Sequence, residues 1–168
     1  MGADLGPRRS AIAAAPAVQV DNPEYLKGLK KVAITSFSVE VLTYLKAGEG
    51  GDLGNLISGN GMYGVWIADA QNNTVVGNLI GTAANGTSAL PNVTSGVRIE
   101  GGNNTIGGTT AAQRNVISGN TGQGVQLTSA TSTGNTIIGN YIGVDQTGAA
   151  ALANGIGMNI QVNATGNT

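Results

Sequence analysis

The 168-residue chain contains no cysteine and no histidine. Disulfide bonds, thiolate metal sites, imidazole general bases and His-ligated zinc are therefore excluded. Only 10% of the residues are charged, against about 25% in an average soluble domain, and only 4% are aromatic. Because the formal net charge is −1, no long-range field attracts a polyanion, and we expect no nucleic-acid partner. No stretch approaches the ~20 apolar residues of a membrane span.

The charge that is present is concentrated in the first 50 residues, which hold six of the eight basic residues. Residues 1–20 carry two arginines before a short run of small residues, which indicates either a degenerate secretion signal or a disordered tail. For residues 21–50 we predict an N-terminal cap, with a short helix starting after Asn22 and a strand between Val32 and Leu45. The compositional boundary of this cap lies near Gly51.

The remaining residues, 51–168, hold 23 glycines and 17 asparagines and repeat themselves. The segment Asn55-Leu-Ile-Ser-Gly-Asn60 recurs as Asn115-Val-Ile-Ser-Gly-Asn120 after 60 residues. The segment Asn73-Thr-Val-Val-Gly-Asn78 recurs as Asn135-Thr-Ile-Ile-Gly-Asn140 after 62 residues. If each asparagine-led opening starts a new coil, one coil takes roughly twenty residues, a size typical of solenoid repeats. We therefore expect about six coils.

Short alternating segments and glycine corners indicate how each coil is built. Val97 and Ile99 fall on one face of a strand, with Arg98 and Glu100 on the other. We expect positive-φ corners, which turn the chain between strands, at the Gly-Asn pairs 59–60, 77–78, 119–120, 139–140 and 166–167. We predict an all-β fold, a right-handed single-stranded parallel β-helix spanning 51–168.

The abundance of asparagine and the scarcity of charge have one physical explanation in such a fold. Identical residues of successive coils lie about 4.8 Å apart, so stacked asparagine amides can satisfy each other as a ladder. A repeated lysine or glutamate would instead place like charges directly opposite one another. We therefore expect asparagine ladders at the corners.

The segments Asn115-Val-Ile-Ser-Gly-Asn120, Gly124-Val-Gln-Leu127 and 139–154 resemble the right-handed parallel β-helix repeats of large bacterial secreted and surface proteins. They are also similar to the pectin-lyase-like solenoids that act on polysaccharides. The resemblance covers about 51–168 and is specific for the fold, because the motif residues are core and corner positions. It implies an extracellular or cell-surface location, although a signal peptide is not evident.

Side chains of the types that usually catalyse reactions or bind metals are rare in residues 51–168. There is no lysine after Lys46, and the few acids do not cluster in the sequence, so we predict no catalytic residue, no metal and no cofactor. The nearest approach to a calcium-binding repeat, Gly50-Gly-Asp-Leu-Gly54, occurs once and misplaces its aspartate. Arg98 and Glu100, two residues apart on the outward face of one strand, are expected neighbours. A surface ion pair is the preferred interpretation of the two, and a catalytic role is the minor alternative.

The aromatic residues suggest a binding surface. Since Val65 and Ile67 should face inward, Trp66 is forced outward beside Tyr63, unless the N-terminal cap covers it. An exposed indole next to a phenol can stack on a sugar face. We predict a glycan platform made of Tyr63, Trp66, Arg98 and Glu100.

These features favour a non-catalytic extracellular module that is structural or adhesive, with a polysaccharide or cell-surface glycan as partner. The last residues, Gly166-Asn167-Thr168, match the opening of another coil, so the end of the solenoid is expected to be open. Either the natural polypeptide continues there, or a second copy stacks on it and allows head-to-tail assembly into a homo-oligomer or filament. The alternative is a polysaccharide-active lyase or hydrolase of pectin-lyase-like fold. It rests on the fold resemblance alone.

Overall fold

The computed structural model describes residues 33–34, 54–161 and 163–168, which form short β-strands joined by corners. A single turn of 3₁₀ helix, Ala111–Gln113, interrupts them. The strands in chain order are β1 (Ala33–Ile34), β2 (Leu56–Ile57), β3 (Tyr63–Ile67), β4 (Thr74–Val75), β5 (Leu79–Ile80), β6 (Ser95–Ile99), β7 (Thr105–Gly107), β8 (Val116–Ile117), β9 (Gln123–Leu127), β10 (Thr136–Ile138), β11 (Tyr141–Ile142) and β12 (Ile156–Ile160).

Successive strands belong to different sheets, and every pairing between named strands is parallel. One sheet has the order β1-β2-β5-β8-β11, the second β12-β9-β6-β3 and the third β10-β7-β4. The chain therefore visits three walls in turn and winds as a solenoid. This confirms the predicted all-β parallel β-helix.

The predicted number of coils is wrong: β2 to β10 form three complete turns, and β11 and β12 begin another. Equivalent strands are about thirty residues apart, as in the pairing of Tyr63 with Ser95 and of Ser95 with Gln123. The estimate of twenty residues treated Asn55 and Asn73 as the same position in successive coils. They lie in the same turn and open strands of different sheets.

The 60- to 62-residue repeat is accordingly two turns long. The first turn opens with β2 and the third with β8, and both pass from the five-stranded to the four-stranded sheet through a short corner, as between Ile57 and Asn60. The second turn opens with β5 and the fourth with β11, and these two insert the long loops 81–92 and 143–154 at the same place. The two long loops touch across the intervening turn, because Gln146 donates its backbone N–H to Gly86 O at 2.9 Å. Alternating corners thus explain why the sequence repeats every second turn.

The core is a column of branched aliphatic side chains between the three walls. Its fully buried members come from every sheet, and include Ile57, Ile80 and Ile117 from the five-stranded sheet and Val75 and Ile106 from the three-stranded sheet. Val65, Val97 and Val125 stack in register from the four-stranded sheet. The predicted inward orientation of Val97 and Ile99 is confirmed, since both side chains are fully buried.

Asparagine ladders line the three corners, as expected. Ladder A comprises Asn55, Asn78, Asn115 and Asn140; ladder B comprises Asn60, Asn92, Asn120 and Asn154; ladder C comprises Asn73, Asn104, Asn135 and Asn167.

Each ladder has the same polarity. In ladder C, Asn73 donates from its backbone N and its Nδ2 to Asn104 Oδ1, at 2.9 and 3.0 Å. The second hydrogen of Asn104 Nδ2 goes to Ala70 O at 3.1 Å, which ties the ladder to the preceding corner. Each asparagine therefore accepts from the turn before it and donates to the turn after it, so a ladder has an acceptor end and a donor end.

Glycine is required at two kinds of corner position. The glycines of the Gly-Asn pairs predicted as corners, at 59–60, 77–78, 119–120, 139–140 and 166–167, all have positive φ, between 66° and 75°. A glycine also starts each of four segments that we call the Gly-Val-x-Ile segments, at 64–67, 96–99, 124–127 and 157–160. In the first three segments it is needed for a different reason. At Gly96 a Cβ would lie 2.8 Å from Asn120 Nδ2 and 2.7 Å from Ile117 Cγ2, so ladder B and the core leave no room for a side chain.

Of the predicted N-terminal cap, the structure describes Ala33–Ile34 only. These residues lie within the predicted strand and pair in parallel with β2, so they extend the five-stranded sheet beyond the predicted boundary near Gly51. The predicted tail, 1–20, and the predicted helix after Asn22 lie outside the described residues. In the described part of the chain there is no helix long and apolar enough to cross a bilayer.

Candidate functional site

The four residues of the predicted glycan platform come together on the outer face of the four-stranded sheet. Tyr63 and Trp66 lie on β3, Arg98 lies on β6, and Glu100 follows β6 directly. The parallel register places Trp66 opposite Arg98. We call Tyr63, Trp66, Arg98 and Glu100 the outer cluster.

Local backbone geometry explains why two aromatic rings point outward from one short strand. Val65 and Ile67 are fully buried, so Trp66 between them faces outward and stays 42% exposed, as the alternation predicted. A Cβ on Gly64 would meet Ile80 Cγ2 at 2.9 Å, so Gly64 faces the interior like Val65. This break in the alternation brings Tyr63 to the same side as Trp66, with ring centroids 5.6 Å apart and ring planes inclined at 53°.

A hydrogen-bond network fixes the cluster. Trp66 Nε1 donates to Glu100 Oε2 at 2.7 Å. Arg98 donates from Nε to Glu100 Oε1 at 2.8 Å, also from Nη2 to the same oxygen, and from Nη1 to Tyr63 Oη at 2.7 Å. The Arg98 guanidinium also lies over the Tyr63 ring, with Cζ 5.0 Å from its centroid. The expected neighbourhood of Arg98 and Glu100 is confirmed, and the ion pair holds the indole in place.

The electrostatics of the cluster keep Glu100 ionised. Partial burial by itself would raise the pKa of Glu100, but hydrogen bonds from Arg98, Trp66 and Thr128 and the positive charge of Arg98 together lower it below its ordinary value. The carboxylate is therefore charged at neutral pH and is paired with one cation. The cluster therefore presents oriented aromatic rings next to an Arg98–Glu100 ion pair whose two charges cancel.

The outer column continues beyond the predicted residues. Trp66, Arg98, Gln126 and Asn159 occupy equivalent positions in the four strands of the sheet. Ser95 Oγ donates to Gln126 Oε1 at 3.0 Å, next to the cluster. Sequence reasoning left this register open, because the Gly-Val-x-Ile segments are unevenly spaced. The unevenness comes from the alternating corner lengths and does not shift the register within the sheet.

The remaining acidic residues of the described chain, Asp69 and Asp145, make no hydrogen bond to the cluster. Asp69 is exposed after β3, and Asp145 lies in the long loop 143–154, where its carboxylate is bonded within the loop. Within residues 54–161 and 163–168, no three acidic side chains converge on a point where a metal ion could bind. The calcium-type segment considered above includes Asp52, which lies outside the described residues.

A second arginine–aromatic contact lies in the five-stranded sheet. The Arg114 guanidinium lies over the Tyr141 ring, with Cζ 4.1 Å from the centroid, and Arg114 Nε donates to Gly139 O at 3.1 Å. Tyr141 packs against Gly148 of the long loop, since a Cβ added to Gly148 would lie only 2.6 Å from Tyr141 Cζ. This contact has a packing function between strand and loop, which gives a useful comparison for the outer cluster.

Comparison of the chain with protein-family models, with curated proteins and with solved structures found no match. The parallel β-solenoid is therefore established by the strand topology, and the resemblance to pectin-lyase-like solenoids receives no independent support. The function has to be argued from the outer cluster and from the ends of the solenoid.

Proposed function

We propose that the protein is a non-catalytic β-helix module of the bacterial cell surface or exterior that binds a glycan on the outer cluster. The observation that carries the proposal is the exposed Trp66 indole, held by Glu100 and flanked by Tyr63. The wall beneath it is rigid, since its inner side is the fully buried valine column. A binding surface built on such a strand is positioned in advance and loses little entropy on binding.

Stacking on a sugar ring is the interaction that this geometry favours. An indole presents a flat apolar face, and the axial C–H groups of a pyranose present a matching apolar face. Because Nε1 already donates to Glu100, the orientation of the indole does not depend on the ligand. Tyr63 Oη lies at the edge of the cluster and accepts from Arg98, so its own hydrogen can be donated to a sugar hydroxyl.

The alternative, a polysaccharide-active enzyme, is less well supported by the same cluster. Glycoside hydrolysis uses a pair of carboxyl groups, one of which acts as an acid with a raised pKa. The outer cluster contains Glu100 alone, and the pKa of Glu100 is lowered. An ionised, arginine-paired carboxylate is a poor general acid, so binding is the preferred proposal.

The test is retention of the protein in native gels that contain one soluble polysaccharide each, from a panel of plant, fungal and bacterial glycans. We expect wild type to be retarded by at least one of them, and Trp66→Ala to lose that retardation. The loss should be about tenfold or more in affinity, since an exposed aromatic stacking partner contributes on the order of 1–2 kcal/mol.

A matched control is Tyr141→Ala, which removes an aromatic ring in contact with an arginine elsewhere on the surface. This variant should retain the retardation of wild type. If Trp66→Ala is retarded as strongly as wild type, or if no glycan retards wild type, the proposed function is wrong. Release of reducing ends or unsaturated products from the panel would favour the enzyme instead.

A second candidate function, end-to-end assembly, is favoured by the last turn of the solenoid. Met158 and Ile160 continue the core columns of Val125 and Leu127, but they are 41% and 52% exposed because no described strand covers β12. We propose that a second copy of the chain stacks on this apolar edge wherever no further turn of the same polypeptide covers it. Its contribution would come from the end strands β3 and β4, since β1 already pairs with β2.

The polarity of the asparagine ladders supports this assembly. Asn60 begins ladder B, and its buried Oδ1 has no hydrogen-bond donor within the described structure. Asn154 ends the ladder, and the one described acceptor of its Nδ2 is Ile117 O, which leaves a hydrogen for a further turn. A donor end and an acceptor end are complementary in the way that head-to-tail stacking requires.

Sedimentation velocity over a dilution series tests the assembly. We expect oligomers that dissociate on dilution and that are lost in Met158→Lys, which places a charge on the exposed end of the core. Val93→Lys adds the same charge at an exposed apolar position outside β12 and should leave assembly intact. A monomer at every concentration would exclude this candidate.

A further inference from the structure

The charge arrangement of the outer cluster bears on which class of glycan can bind there. An acidic polysaccharide would need a cation with free donors, and Arg98 is the only basic residue of the cluster. Its side chain and that of Glu100 are both largely buried, at 24% and 19% exposure. The availability of Arg98 therefore decides whether uronic acids or neutral sugars are preferred.

Three of the five N–H donors of Arg98 are directed at groups of the protein itself. The edge formed by Nε and Nη2 faces Glu100 Oε1, and Nη1 donates to Tyr63 Oη at 2.7 Å. This edge is one of the sides on which a guanidinium pairs with a carboxylate, and here Glu100 holds it. A ligand carboxylate at the remaining Nη1 and Nη2 hydrogens would lie close to the negative charge of Glu100, which already neutralises this guanidinium.

Both oxygens of Glu100 are also occupied. Oε1 accepts from Arg98, and Oε2 accepts from Trp66 Nε1 at 2.7 Å. The carboxylate thus has two effects: it orients the indole, and it cancels the positive charge beneath the indole. The first effect needs an acceptor atom, and the second needs a negative charge. A glutamine at position 100 would keep an acceptor and remove the charge.

We propose that Glu100 acts as a charge-cancelling residue that makes the outer cluster selective for neutral glycans over acidic ones. This inference rests on the proposed glycan-binding function and specifies its ligand class. Binding is then driven by stacking on Trp66 and by hydrogen bonds to hydroxyl groups, and is nearly independent of salt concentration. A surface with a net positive charge would instead bind polyanions in a salt-dependent manner.

The experiment compares wild type with Glu100→Gln in gels that contain a neutral β-glucan or polygalacturonate. Wild type should be retarded by the neutral polymer and at least about tenfold less by polygalacturonate. Glu100→Gln should gain about tenfold or more in retention by polygalacturonate, since a freed charged donor is available for a charge-assisted hydrogen bond, and added salt should abolish the gain. Its retention by the neutral polymer should change less.

Two further variants separate the local effect from the change in net charge. Asp69→Asn raises the net charge by the same amount at an exposed site with φ of 52°, which asparagine tolerates, and should not gain retention by polygalacturonate. The double variant Arg98→Gln with Glu100→Gln restores a neutral cluster and should return to the wild-type preference.

The outcomes distinguish this inference from the proposal on which it rests. If neither polymer nor any glycan of the wider panel retards wild type, the proposed function is wrong and the inference falls with it. If wild type is retarded as strongly by polygalacturonate as by the neutral polymer, glycan binding stands and neutral selectivity is wrong. If Glu100→Gln gains no more than Asp69→Asn, Glu100 does not cancel the charge of Arg98.

Discussion

Two neighbouring columns of the four-stranded sheet follow opposite rules. The inward column contains Val65, Val97, Val125 and Met158, which are all apolar and similar in size. The adjacent outward column contains Trp66, Arg98, Gln126 and Asn159, which have almost nothing in common. Both columns share the same strands, the same backbone pairing and the same spacing of about 4.8 Å. The difference must therefore come from what each column contacts.

The inward positions repeat because each turn presents the next with the same environment. A fully buried side chain or ladder amide is surrounded by its own copies above and below, so one residue type satisfies all turns. The outward side chains lie outside the core, where Trp66 is 42% exposed and Gln126 is covered by its neighbours, and the fold imposes no single residue type there. Their variety in one column, and the concentration of aromatic and charged groups at its first two positions, is the reason to place function on this face.

Removal of a ladder asparagine should have the largest effect on stability. Asn104→Ala deletes two accepted and two donated hydrogen bonds of a fully buried side chain and leaves the backbone N–H of Asn73 without its acceptor. We expect a loss of roughly 3 kcal/mol or more in the free energy of unfolding, since each buried orphan costs about 1–3 kcal/mol. Chemical denaturation followed by far-UV circular dichroism measures it.

The comparison variant is Asn159→Ala, which removes an asparagine from the outward column. Because Asn159 lies at the surface of the last strand, the loss should stay within about 0.5 kcal/mol. Asn104→Asp adds a second test, since it keeps the shape and the acceptor but loses both donated bonds. Equal stability of Asn104→Ala and Asn159→Ala would contradict the distinction between the columns.

A methyl group at an inward glycine should have a smaller but clear effect. In Gly96→Ala the new Cβ would lie 2.7 Å from Gly124 O and from Ile117 Cγ2, so the wall or ladder B must shift. We expect a destabilisation of about 1–3 kcal/mol, as for other overpacked sites. Gly61→Ala is the matched control, since no heavy atom lies within 4 Å of its Cβ and its φ is not positive. It should be neutral or slightly stabilising, and a similar loss in both variants would rule out steric exclusion.

The sequence predicted the repeated positions well and the turn length poorly, for one physical reason. Corner glycines, ladder asparagines and inward aliphatics each follow from a local constraint, so the positive φ of Gly59 and the burial of Val97 could be predicted from neighbours alone. The turn length depends on which asparagine stacks on which. Asn55 and Asn73 satisfy the same local rule but belong to ladders A and C, and only the three-walled closure distinguishes them.

The outer cluster could be predicted from the sequence only in part. The outward orientation of Trp66 follows from the burial of Val65 and Ile67, and the contact of Arg98 with Glu100 follows from their spacing. The hydrogen bond of Trp66 to Glu100 and that of Arg98 to Tyr63 join different turns. They require the register between β3 and β6, which the uneven spacing of the Gly-Val-x-Ile segments concealed. The role of Gln126 at the end of this network was missed for the same reason.

The smallest effect is expected where an unrepeated residue lies in a repeated loop. Asp145 in the loop 143–154 occupies the position of Ala83 in the loop 81–92. Its Oδ1 accepts from Thr147 Oγ1 at 2.7 Å and from the backbone N–H of Thr147 at 3.1 Å. In the loop 81–92 the comparable acceptor is the uncharged Asn85, which accepts from the backbone N–H of Thr87 at 3.0 Å. The loop 143–154 is therefore held by a carboxylate that can be protonated, whereas the loop 81–92 is held by an amide that cannot.

Acid should consequently loosen one loop and spare the other. The hydrogen bond from the Thr147 side chain, opposed by burial and aided by the backbone N–H groups of Ala150, Ala149 and Thr147, lowers the pKa of Asp145 below its ordinary value of 3.8. Since the folded-state pKa is the lower one, the stabilisation is present above pH 3.8 and is lost as the pH falls through the folded-state pKa. Amide hydrogen-exchange protection at Thr147 and Ala149, corrected for the intrinsic exchange rate, should fall over this range, whereas protection at Thr87 should not. Parallel loss at both loops would mean that acid loosens the solenoid as a whole, and Asp145→Asn should remove the difference by giving both loops an uncharged acceptor.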